Sequence, residues 1–131
     1  MDYGITVRTA TPFAEAVEQV RAALKEQGFG VLTEIDVQAT LKAKLGEEME
    51  NYLILGACNP PLAHRALSAD RQIGLLLPCN VVVRSADGET IVEALDPMTM
   101  VVITEEDKLN PVATEAAARL RKALDSLPGT R

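Results

Sequence analysis

The chain has 131 residues, 47% of them hydrophobic and 24% charged, and carries a net charge of −6. A length below about 150 residues holds one ordinary core, so residues 1–131 are expected to form a single domain that buries roughly two thirds of its unfolded surface. Nineteen acidic against thirteen basic residues, with only two Tyr and two Phe, argue against nucleic acid, and no apolar run approaches the roughly 18 residues of a membrane span.

The first ten residues, MDYGITVRTA, lack the basic-then-apolar order of a signal peptide, so a cytoplasmic protein is expected. Within them Tyr3, Ile5 and Val7 alternate with Gly4, Thr6 and Arg8, the period of a strand with one buried face. A helix follows over residues 12–27: Thr11 is its expected cap, Pro12 its first residue, and Phe13, Val17, Val20 and Leu24 share one face. Gly28 is the expected left-handed stop. Val31, Thr33 and Ile35 resume alternation, and Asp36 caps a short helix carrying Val37, Leu41 and Leu45 before Gly46. The acidic residues Glu47, Glu48 and Glu50 then read as a solvated connection.

Asn51 to Cys58 is almost continuously apolar, as in a central strand or one covered on both faces. Asn59-Pro60-Pro61 is a helix start signal, with Leu62, Ala63, Ala66 and Leu67 as a narrow inward stripe. The apolar run Ile73 to Leu77 is broken by Pro78, which donates no ladder hydrogen bond and so marks a bend or an edge position. A strand continues over Cys79 to Ser85, turns at Ala86-Asp87-Gly88 and returns through Thr90 to Leu95. Met98 to Thr104 fits either another short strand or a packed connection. Asn110-Pro111 then caps a helix over residues 111–127 whose Ala113, Ala116, Ala117, Leu120, Leu124 and Leu127 repeat at helical spacing. The expected fold class is α+β: a mainly antiparallel sheet in β-α-β(4)-α order, with two amphipathic helices on one face and short helices inserted.

Chemistry, if any, gathers at the two cysteines. Both are followed by asparagine in an apolar context, Leu55-Gly56-Ala57-Cys58-Asn59 and Leu76-Leu77-Pro78-Cys79-Asn80. Two strand ends lying side by side would bring the sulfurs together to meet a ligand. The competing reading treats both as small buried hydrophobes and Asn59 as a helix cap. No Cys-x-x-Cys or His-x-x-x-His spacing occurs, and the single histidine, His64, reads as a surface residue, so no metal site is assigned. A soft set of Cys58, Cys79, Met98 and Met100 would suit monovalent copper, but methionine pairs are more often core filler. Neither cysteine has an evident base beside it, so no catalytic residue and no cofactor are assigned. Gly28-Phe29-Gly30 follows a helix and precedes a strand, the reverse of a phosphate-binding order.

The strings LGACNPPLAHRAL at 55–67 and IGLLLPCNVVVR at 73–84, with Asp96-Pro97 further on, resemble the bacterial and archaeal domain-of-unknown-function 302 family over essentially the whole chain. The resemblance implies a TATA-binding-protein-like fold, often as a homodimer, and no established activity. Its recurrent positions correspond to Gly56, Cys58, Asn59, Pro60, Leu77, Pro78, Cys79 and Asn80. The candidate ligand site is therefore Cys58, Asn59, Pro60, His64, Cys79 and Asn80. Two functions stand open: a ligand-binding or thiol- and sulfur-handling module at the Cys58/Cys79 region, or a structural or protein-interaction homodimer whose cysteines only pack.

Overall fold

A computed structural model describes residues 2–130. Five strands, β1 (Gly4–Thr9), β2 (Gly30–Asp36), β3 (Tyr52–Cys58), β4 (Cys79–Ala86) and β5 (Glu89–Leu95), pair in the order β1-β5-β4-β3-β2, each pairing antiparallel. Ile5 and Val7 oppose Ala94 and Val92, while Leu53 and Leu55 oppose Val83 and Val81. All eight are buried on one face, because side chains two apart along a strand point the same way. The β4–β5 hairpin closes on Asp87 and Gly88, with φ of 51° and 78°. Two positive φ values in a two-residue loop match the right-handed strand twist.

Two helices cover that face. From α1 (Phe13–Glu26) come Ala16, Val17, Val20 and Leu24; from α5 (Asn110–Asp125) come Leu120, Ala123 and Leu124. All join the sheet residues in one core. Their placement on the same face is the one expected from periodicity. The cap details differ. Helix α1 starts at Phe13 with Pro12 as its N-cap, while the Thr11 N–H donates to Thr9 Oγ1 and its carbonyl accepts from Thr90 Oγ1, so Thr11 caps nothing. Asn110 is already inside α5, where its Oδ1 accepts from Thr114 Oγ1.

The shorter helices fill the links. Helix α2 (Val37–Leu45) is capped by Asp36, which accepts from Ala39 N at 2.9 Å, and stops at left-handed Gly46. Helix α3 (Pro60–Ala69) follows β3 directly. The run Ile73–Leu77 forms no strand: residues Arg71–Leu76 wind as a 3-10 turn opened by Asp70, whose carboxylate accepts from Gln72 N, and the strand starts only after the cis Leu77-Pro78 bond. Of the two readings open for Met98–Thr104, strand is excluded, for it is helix α4 (Met98–Thr104). Asp96 explains this: its side chain accepts from Met98 N and its carbonyl from Thr99 N and Thr99 Oγ1, which starts a helical turn despite the β-branched residues that follow. Helices α3, α4 and α5 then share a second core of Leu62, Ala66, Ile73, Met100, Leu109, Val112, Ala113 and Ala116.

Candidate functional site: an apolar cavity at the cysteine end of the sheet

Because β3 ends where β4 begins in antiparallel register, Cys58 and Cys79 fall at the same end of the sheet. Cys79 opposes Ala57, the residue before Cys58, so the two cysteines stand one register step apart on neighbouring strands. At that end the sheet core gives way to the second core, and a cavity of about 280 Å³ lies at the seam. Its wall is formed by Phe29, Ala57, Cys58 and Cys79 from the sheet side, by Leu77 and Pro78 ahead of β4, by Leu62, Ala63, Ala66 and Leu67 of α3, and by Met100, Val112 and Ala116 of α4 and α5. Four alanines facing one space leave it unfilled where larger side chains would close it. Leu32, at the bulge between Val31 and Thr33, forms the outer lip and is 68% exposed.

Asn59 is the polar side chain of the wall, and both ends of its amide are engaged. Its Oδ1 accepts from Leu62 N, capping α3, and its Nδ2 donates to Gln27 O at 3.2 Å. The same carbonyl, at the C-terminal end of α1, accepts from Arg119 Nη1 at 3.3 Å. Arg119 Nε in turn donates to Glu115, which also takes Arg65 Nη1 of α3 at 3.1 Å. Hydrogen bonds from Arg65 and Arg119 hold the Glu115 carboxyl below its ordinary range. A cation at a helix C-terminus is favourable, and here the chain of contacts fixes α1, α3 and α5 around the cavity. Gly28, at φ +85°, lets Asn59 in: a Cβ there would stand 2.9 Å from Nδ2.

Burial first, and the neighbouring Cys58 second, push the Cys79 thiol up to about 11. At neutral pH it is therefore a protonated, weakly nucleophilic sulfur, suited to contact more than to attack. Gly56 supports the same strand end from the other side, where a Cβ would collide with Thr33 Oγ1 and stand 2.9 Å from Pro78 Cγ.

Of the six residues singled out in the sequence, Cys58, Asn59 and Cys79 line the cavity. The other three do not. Pro60 opens α3 and is exposed, and His64 points from α3 to solvent. Asn80 follows Cys79 on a strand and so faces the opposite side of the sheet, in a groove with Tyr52, Val82 and Glu93. The repeated Cys-Asn string thus does two different things, capping a helix at 59 and facing away at 80. Ala57, Ala116, Met100 and Leu32 were not legible as wall residues; the alanines within apolar stripes were the available signal for the first two, and the bulge hid Leu32.

The family model "Domain of unknown function DUF302" matches residues 5–127. The chain belongs to the DUF302 family. A solved structure of an uncharacterized conserved DUF302 protein from Bacillus stearothermophilus is similar to it, with 31% identity, a TM-score of 0.90, and coverage of 95% of this chain and 98% of that one. No curated protein matches the chain. DUF302 membership agrees with the fold and assigns no activity. No helix among the described residues is long and apolar enough to cross a membrane.

Proposed function

We propose that this DUF302 protein is a small-ligand-binding module whose cavity takes a small apolar molecule against the sulfurs of Cys58 and Cys79. The observation that carries this reading is the cavity itself: concave, walled almost entirely by apolar side chains, with its one amide already satisfied by the fold. Apolar pockets with few polar groups are the usual form of small-molecule sites, typically upward of about 300 Å³. Dry cavities of roughly 150 Å³ accept benzene, so a space of about 280 Å³ suits a two-ring aromatic or a medium-length alkyl chain. A cytoplasmic location belongs to the same reading, since free thiols persist in a reducing compartment. The acidic balance does not favour a nucleic acid partner.

The test uses 1-anilinonaphthalene-8-sulfonate as a fluorescent probe on the folded, reduced protein. Saturable one-to-one enhancement, weakened at least tenfold by Ala63→Met, which fills the cavity, supports the reading. Enhancement indifferent to Ala63→Met, or none, contradicts it.

A second reading, a homodimer, is favoured by one observation. Val102 and Ile103 on α4 and Leu75 in the 3-10 turn are 60%, 64% and 78% exposed, and Ile73, Leu75, Leu76 and Ile103 line one surface hollow. Apolar residues clustered this way commonly mark contact surfaces. In this reading the α4 face joins two copies, and the cavity either acts alongside the interface or only results from packing.

A further inference from the structure

Phe29, just ahead of β2, and Val31 within it pack on the core side of the sheet. With unbroken alternation Thr33 would join them. It does not: Thr33 opposes Gly56, which lies between the core-facing Leu55 and Ala57, and its Oγ1 takes the space that a Gly56 side chain would need on the other face. The register slips by one residue between Val31 and Thr33, so Leu32 is an extra residue with no partner on β3. Beyond the slip the phase is reversed, and Glu34 turns to the helices, where it pairs with Arg21 of α1 at 2.9 Å. Leu32 is left on the cavity side, at the mouth.

We propose that Leu32, re-aimed by this bulge, covers the outer end of the molecule bound in the cavity and makes the site favour apolar ligands long enough to reach the mouth. This inference rests on the apolar-ligand reading of the cavity. A single exposed leucine is ordinary on a protein surface. This one stands at the rim of an apolar space of about 280 Å³, 68% exposed and outside both cores. Its apolar surface is therefore still available to a ligand, and burying a leucine side chain strengthens association roughly tenfold or more. Bulges commonly re-aim a side chain beside a site. Ligand size then decides whether Leu32 is used. Benzene fits a dry cavity of about 150 Å³, so it occupies the inner space without needing the lip, whereas a two-ring molecule such as naphthalene extends to Leu32. Gly56 serves the same arrangement, since a side chain there would displace Thr33 and with it the bulge.

The experiment is titration of the reduced protein with naphthalene and with benzene, followed by the methyl resonances of Leu62, in wild type, Leu32→Ser and Leu32→Met. Leu32→Ser should weaken naphthalene binding about tenfold and benzene binding less than about twofold. Leu32→Met, which restores the apolar contact, should bring naphthalene back to within about twofold of wild type. Urea unfolding should be the same for all three, because the side chain is exposed. Naphthalene binding indifferent to Leu32→Ser, equal losses for both ligands, no recovery in Leu32→Met, or a loss of folding stability that tracks the loss of binding would overturn the proposal. Wild type that binds naphthalene while Leu32→Ser binds it equally well removes only the role of Leu32. Wild type that binds neither molecule removes the cavity reading and Leu32 with it, and wild type that binds benzene alone contradicts the preference for the longer ligand.

Discussion

Gly56, Asn59 and Cys79 each do something at the cavity end that their neighbours in sequence cannot. A methyl at Gly56 has nowhere to go between Thr33 and Pro78, and overpacking of this kind costs about 1–3 kcal/mol. Gly56→Ala should therefore lower the unfolding free energy obtained from urea melts by an amount in that range, with an unchanged slope. Asn59→Ala removes both a cap and the link to Gln27 O; loss of a cap alone costs about 1 kcal/mol. Asn59→Ser keeps a capping acceptor for the start of α3 and loses the donor to Gln27 O, so it should recover part of that loss in the same denaturation series. For Cys79 the sign follows from a folded pKa of about 11 against an ordinary value near 9. The unfolded chain releases this proton first as pH rises, so the contribution is fully present below about pH 9 and is lost between about 9 and 11. Two pK units correspond to roughly 2–3 kcal/mol. Urea midpoints should fall across that window in wild type and fall less in Cys79→Ala, whereas parallel pH curves would contradict the assignment.

At the scale of elements, what was legible follows from how local each signal is. The alternation of Tyr3, Ile5 and Val7, the i, i+3, i+4 apolar stripes of α1 and α5, and the Asp87-Gly88 turn are set by neighbours within a few residues, and the sheet and its two-helix face follow from them. The Cys58/Cys79 end of the sheet was legible for the same reason, since both cysteines sit at strand boundaries marked by proline. Two segments escaped. Ile73–Leu77 and Met98–Thr104 are short apolar runs whose period is ambiguous, and capping by Asp70 and Asp96 decides them as helical turns. Met100 enters the cavity only because of the second decision. The same turn presents Val102 and Ile103 to solvent, which leads to a prediction for α4. If copies meet there, Val102→Lys with Ile103→Lys should leave secondary structure intact by circular dichroism while sedimentation velocity shifts from dimer to monomer. A wild-type protein sedimenting as a monomer at high micromolar concentration would remove that interface.

For the whole molecule, the cavity arises because one chain builds two adjoining cores. The sheet with α1 and α5 makes the larger one, and α3, α4 and the N-terminal half of α5 make the smaller. Alanines at 57, 63, 66 and 116 keep the seam open, while Asn59, Gln27, Arg119, Glu115 and Arg65 tie its margins together. A protein that needed only packing at this seam could fill it with larger side chains and gain stability, as cavities are costly. The function proposed for this space is to receive a small apolar molecule. The most direct measurement is methyl NMR of the reduced protein during titration with naphthalene. Saturable shifts are expected, confined to the methyl groups of Leu62, Leu67, Leu77 and Met100 at the cavity and Leu32 at its lip, with Val102 and Ile103 unmoved. Shifts confined to Val102 and Ile103, or no saturable shift at the cavity methyl groups, would contradict it.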